Sequence, residues 1–162
     1  MKNLLLLRHA KSSWNDSSLP DHQRPLNERG KRDAPRAGEQ LVARQIRPQL
    51  VLSSSAKRAA KTAKKAIEAS GYETELRLLD ELYLATPDAY LAQLRKLPDS
   101  LSCILVVGHN PGMEELLLGL TGLHQAFPTA GLASLDIATE RWRDLQLDHT
   151  AQLRWQWRPD EE

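Results

Sequence analysis

Short apolar runs alternate along this chain with amphipathic stretches, and the alternation predicts a sequence of elements. Residues 4–7 are four successive leucines, the pattern of a short buried strand. That run leads directly into Arg8-His9 and then a polar stretch reaching Pro25. Asn27 reads as a helix N-cap, with helical character to about Gln45 in spite of Gly30 and Pro35. Pro35 lacks a backbone donor and is expected to kink or restart that helix. A second strand, residues 50–52, ends in Ser53-Ser54-Ser55. The Ala/Lys-rich segment 56–69 predicts a helix, with Gly71 as its C-terminal stop. Glu75–Leu79 reads as a third strand. Pro87 opens a helix to about Lys96, with Tyr90, Leu91, Leu94 and Leu97 at helical spacing. Residues 102–107 form the clearest strand, followed by the turn Gly108-His109-Asn110-Pro111-Gly112 and a helix over 113–120. The segments 132–137 and 151–157 alternate in polarity and predict two later strands at a sheet edge.

Strands and helices in this order favour an α/β fold with a largely parallel sheet and helices on both faces. With 162 residues and no linker, repeat or low-complexity tract, a single domain spanning 1–162 is expected. Ligands of such sheets collect at the C-terminal ends of strands. Three polar clusters fall at predicted strand ends: Arg8-His9, Ser53 to Arg58, and His109.

Composition narrows the class. At 41% hydrophobic and 27% charged, the chain lies in the globular range. No apolar run approaches the roughly 20 residues of a membrane span, so no membrane partner is expected, and four leucines before a charge do not make a signal peptide. One cysteine, Cys103, cannot form an internal disulfide, and a cytoplasmic setting is expected. The net charge of +1 conceals an asymmetry, since residues 1–65 hold 15 of 22 Lys and Arg but 5 of 21 Asp and Glu. A basic half can be an anion site, a nucleic-acid face, or solvated helix surface.

Arg8, His9, Arg58 and His109 together suit phosphoryl transfer. Two guanidinium forks match phosphate oxygens, and a neutral imidazole beside them is a capable nucleophile. The in-line reaction mostly requires positioning and charge neutralisation, which these groups supply without a metal. The histidines at 9, 22, 109, 124 and 149 lack metal-ligand spacing, so neither metal nor other cofactor is expected. Taken singly, Arg8-His9 reads more readily as a polar loop pair, with a solvated basic helix face as the alternative for Arg58 and a turn residue as the alternative for His109.

Four motifs carry a family resemblance. Arg8-His9-Ala10-Lys11-Ser12-Ser13-Trp14-Asn15 resembles the RHG signature of the histidine phosphatase superfamily, with Ala10 for Gly as in SixA-type phosphohistidine phosphatases. Arg24-Pro25-Leu26-Asn27-Glu28-Arg29-Gly30 resembles the RPLTxxG segment. The stretch from Ser54 to Ala63 is similar to SPxxRAxxTA, with Ser55 for Pro, and Gly108-His109-Asn110-Pro111 is similar to GHxP. The resemblance implies a phosphoglycerate mutase-like three-layer α/β sandwich. It implies a covalent phosphohistidine at His9, phosphate held by Arg8, Arg58 and His109, and Asn15 as an additional donor. Glu81, in Leu79-Asp80-Glu81, matches the family's general acid, with Asp80 behind it; a solvent-facing carboxylate is the alternative. Lys11 departs from the acidic residue of the mutases and is expected to be merely exposed, with extension of the anion field toward an acidic phosphoprotein as the alternative.

Only about 20 residues separate Leu79 from the next strand, which predicts an open site. That favours a protein-borne phosphohistidine as substrate, with a small phosphoester as the alternative and a monomer or weak dimer as the expected assembly. A non-catalytic module binding nucleic acid or phosphoproteins is the remaining reading. It is disfavoured because aromatics are only 5% and do not interleave with the basic residues. Trp142, Trp155 and Trp157 are expected to pack on the sheet, with a subunit contact as the alternative.

Overall fold

The computed structural model describes residues 1–159. Ten principal elements follow one another: β1 (Lys2–Arg8), α1 (Glu28–Ala43), β2 (Leu50–Ser54), α2 (Lys57–Ser70), β3 (Glu75–Leu79), α3 (Pro87–Leu94), β4 (Cys103–Gly108), α4 (Gly112–Thr121), β5 (Leu132–Ile137) and β6 (Gln152–Trp157). The strands form one sheet in the order β3-β2-β4-β1-β5-β6. The first four of these neighbours are mutually parallel, whereas β5 runs antiparallel to both β1 and β6. The two late strands therefore form one margin of the sheet, with β6 outermost.

Alternate residues of the central strands supply two cores. Leu4, Leu6, Leu50, Leu52, Ile104 and Val106 face α3 and α4, with Tyr90, Phe127 and Trp142 filling that layer. Leu5, Leu7, Val51, Leu105 and Val107 face the opposite side and meet Ala37, Leu41, Ala59, Ala63 and Ala66 of α1 and α2. A strand covered on both faces has no polar side to present, which is why β1 and β4 read as unbroken apolar runs.

The helix boundaries have identifiable causes. Asn27 Oδ1 accepts the Gly30 N–H at 2.8 Å and caps α1. Gly71, at φ 71°, closes α2 in the left-handed conformation. Pro35 lies inside α1 and does not restart it. The carbonyl it leaves without an intrahelical partner belongs to Lys31, on the exposed face of the helix, where water can satisfy it. The other face of α1 packs closely on α2: a Cβ on Gly38 would come within 2.0 Å of the Ala66 carbonyl oxygen. Packing along the whole helix thus outweighs one lost bond. Trp142 is fully buried, and Trp155 and Trp157 pack half-buried on the α1–α2 side.

Candidate functional site

Strand register builds the site. In the β1–β4 pair Arg8 lies opposite Gly108, and the His9 N–H continues the ladder to the Gly108 carbonyl at 2.9 Å. The next residue of each strand is a histidine, so the His9 and His109 rings stand 5.1 Å apart. On the other side of β4, Ser53 pairs with Val107, which sets Ser54 Oγ 2.8 Å from His109 Nε2. Arg58 enters from the first turn of α2.

The His9 ring is oriented by one bond: Nδ1 lies 2.8 Å from the Ala10 carbonyl oxygen. A carbonyl only accepts, so Nδ1 carries the proton and Nε2 presents its lone pair. Burial, joined by the nearby Arg58, Arg8 and Arg24 charges and opposed by the Ala10 bond, pushes the His9 pKa down to about 4. His109 is pushed down to about 3, chiefly by burial and then by His9 and Arg58. Both rings are neutral near pH 7.

The loop carrying His9 is tied down on two sides. The Ala10 N–H donates to Thr62 Oγ1 at 3.0 Å, and Thr62 in turn donates to the Arg58 carbonyl. Ala10 replaces the motif's glycine without conflict because its methyl packs with Leu26, Ala34 and Ala130. Gly30 is different. The Lys11 carbonyl oxygen would lie 2.1 Å from a Cβ there, so this close approach of α1 to the loop requires glycine.

Asp21 is the hub of the arginines. The Arg58 guanidinium donates to the Asp21 backbone oxygen at 2.7 Å and to Oδ2 at 2.9 Å, and Arg24 donates to Oδ1 at 3.1 Å. The Tyr83 hydroxyl also donates to Oδ2. Led by that Tyr83 bond, these donors hold the Asp21 carboxyl far below the usual carboxylate range. Arg8 donates to the Phe127 carbonyl at 2.9 Å, and its buried Nε has no partner among the described residues. The Tyr83 ring stands nearly perpendicular to that of His109, with centroids 5.5 Å apart, and to that of His22 at 4.8 Å.

Arg8, His9, Arg58 and His109 therefore converge, with Arg58 and Arg8 near enough to act electrostatically on both imidazoles. Glu81 is exposed in the turn Asp80–Leu82, and none of the hydrogen bonds just described reaches it. Its neighbour Asp80 accepts from the Ser55 hydroxyl, at the motif position usually held by Pro. Asn15 is exposed, with its backbone N–H on Ser13 Oγ at 3.1 Å. Lys11 is exposed as well.

Asp21 and Tyr83 were not singled out by sequence reasoning as site groups, and Ser54 entered only as a member of the Ser53 to Arg58 cluster. Arg24, in the second motif, carried the only local signal of this network, since Asp21 lies one helical turn before it. Among the described residues no three His, Cys, Asp or Glu side chains are grouped to hold a metal ion, and no helix is long and apolar enough to cross a membrane.

The arrangement can place a neutral nucleophilic nitrogen among fixed cations and N–H donors. Comparison with known proteins agrees with that chemistry. Residues 4–83 match the histidine phosphatase superfamily (branch 1). An uncharacterized protein of Mycobacterium leprae is 34% identical over 155 residues, covering 88% of this chain and 93% of that protein. A crystal structure from Agrobacterium tumefaciens, described as a "putative phosphohistidine phosphatase SixA", is 30% identical over 98% of each chain, with a TM-score of 0.82. A similarly described protein from Nakamurella multipartitia is 27% identical, with a TM-score of 0.81 over 98% of this chain and 96% of its own. With its motifs in order, its sheet in register and these likenesses along nearly its whole length, the chain belongs to the histidine phosphatase superfamily and is of the SixA type.

Proposed function

We propose that this phosphatase removes the phosphoryl group from phosphohistidine carried by another protein, with His9 as nucleophile. The observation that carries the reading is the His9 tautomer. Nδ1–H is held by the Ala10 carbonyl, so the Nε2 lone pair is available without prior deprotonation. Nε2 forms a bond to phosphorus as the substrate's P–N bond breaks. A substrate imidazole protonated on its other nitrogen departs neutral. Water then attacks the phosphorus of phospho-His9, phosphate leaves, and Nε2 recovers its lone pair. Arg8, Arg58 and His109 hold the phosphoryl oxygens as charge redistributes, which is the main requirement of this reaction. Asn15, from the loop after β1, is the additional donor to those oxygens.

Two features favour a protein-borne phosphoramidate over a buried metabolite. Likeness to structures described as phosphohistidine phosphatases runs the length of the chain. The connection between β3 and α3 is only residues 80–86, so this part of the rim stays low and accessible. For an alkyl ester the leaving oxygen needs a proton, and Glu81 in that same connection is the candidate donor.

The test compares kcat/KM on a phosphohistidine-bearing phosphotransfer domain and on p-nitrophenyl phosphate, with EDTA present. A strong preference for phosphohistidine, lost by at least about 10³-fold in His9→Ala, is the expected result. Better ester hydrolysis that also falls in Glu81→Gln would instead assign a small-molecule phosphomonoesterase. Absence of His9-dependent turnover on either substrate would overturn the catalytic reading.

A further inference from the structure

The two nitrogens of His109 have different surroundings. Nε2 lies 2.8 Å from Ser54 Oγ, with both side chains buried. Nδ1 is buried and has no hydrogen-bond partner among the described residues. Which nitrogen carries the single proton of the neutral ring is decided at Ser54. The Ser54 oxygen already accepts the Ala56 N–H at 3.1 Å. Among the described hydrogen bonds, its own proton has one acceptor in reach, His109 Nε2. Ser54 therefore donates to Nε2, and the ring proton sits on Nδ1.

We infer that Ser54 is a positioning residue for phosphoryl transfer, fixing His109 as the Nδ1–H tautomer so that an uncharged imidazole donates a hydrogen bond to a phosphoryl oxygen. The inference rests on the proposed placement of the phosphoryl group between His9 and His109. The opposite tautomer would aim a lone pair at an anionic oxygen, replacing attraction with repulsion at the same distance. Ser54 also holds the ring in place, while the Tyr90 hydroxyl accepts the His109 backbone N–H at 3.2 Å and steadies the main chain. The pair of histidines thus carries opposite protonation patterns. His9 is locked by a carbonyl, a pure acceptor, and offers an electron pair. His109 is locked by a hydroxyl acting as donor, and offers a proton. One residue type serves two roles because its two neighbours differ in hydrogen-bond polarity.

The experiment is a long-range ¹H–¹⁵N correlation spectrum of the full chain with labelled histidine, assigned with His109→Gln. The expected signature for His109 is a protonated Nδ1 and a bare Nε2 in the free enzyme. An Nε2–H signature would overturn the inference whatever the activity. In Ser54→Ala the signature should disappear. The inhibition constant of inorganic phosphate should rise about 10-fold, and kcat/KM should fall about 10- to 100-fold on phosphohistidine and ester alike. Ser54→Thr, which retains the hydroxyl, should recover most of the loss. A folded Ser54→Ala that keeps Nδ1–H and stays within about threefold of the parent activity sinks the proposal. If Ser54→Ala does not fold, the wild-type spectrum decides alone. The tautomer is read without substrate, so its failure is separate from failure of the phosphatase reading, which shows as loss of His9-dependent turnover.

Discussion

The two faces of the sheet are built from opposite materials. The α3–α4 side is filled by large side chains, with Trp142, Tyr90, Phe127 and a set of leucines fully buried. The α1–α2 side is lined by Ala37, Gly38, Ala59, Ala63 and Ala66, and its two helices meet almost backbone to backbone. The first face supplies bulk apolar burial. The second supplies proximity: it draws α2, with Arg58 and Thr62 in its first turns, against the loop that carries His9. Stability and site geometry are thus assigned to different layers of the same sheet.

Substitutions on the two faces should separate these roles. Trp142→Ala removes a buried ring and its Nε1–H bond to the Leu101 carbonyl at 2.7 Å. The expected loss is about 3–5 kcal/mol in urea unfolding, with kcat unchanged in the folded fraction. Gly38→Ala should have the opposite sign from an ordinary helical glycine. Alanine normally gains about 1 kcal/mol there, but here its methyl meets the Ala66 carbonyl, so a loss of about 1–3 kcal/mol is expected. A gain in stability for Gly38→Ala would remove the argument for close helix approach.

A smaller effect is expected at the hub of the site. Asp21→Ala frees Arg58, Arg24 and Tyr83 from their shared acceptor and should lower kcat/KM about 10-fold or more by loosening Arg58. Raised activity would show instead that Asp21 competes with phosphate for that guanidinium.

The smallest effect is read as pH dependence. Both imidazoles titrate below their ordinary 6.5, at about 4 for His9 and about 3 for His109, so the unfolded chain takes up protons first on acidification. Their contribution to stability is full above about pH 6.5, falls as the pH drops from there, and is gone once the pH is below about 4 for His9 and about 3 for His109. Thermal melting temperature should decline across that interval, and less so in His9→Gln. A flat profile in the parent protein would contradict neutral burial of the two rings.

Much of the fold was legible because the central strands are compact apolar runs bounded by polar residues or glycine, as at residues 4–7 and 102–107. Caps were legible for the same local reason, in Asn27 and Gly71. Pro35 does not restart the helix because its cost is local whereas the packing that holds α1 through it is not. In the site, Arg8, His9, Arg58 and His109 could be read from strand ends and motif spacing. Asp21 could not, because its partners Arg58 and Tyr83 lie 37 and 62 residues away and meet it only through the sheet. The proton-donating direction of Ser54 was likewise invisible, since it follows from β2–β4 register and not from composition.

The central position of β1 has a consequence for the nascent chain. Its neighbours are β4, about one hundred positions later, and β5, later still. At roughly 5–20 residues per second, ribosomal synthesis needs about 5–20 s to deliver β4 after β1. During that interval four consecutive leucines and two open strand edges have no native cover. Although β1 precedes every other strand, it is among the last to be enclosed, and residues 2–8 lack both native neighbours until residues 103–137 have been made.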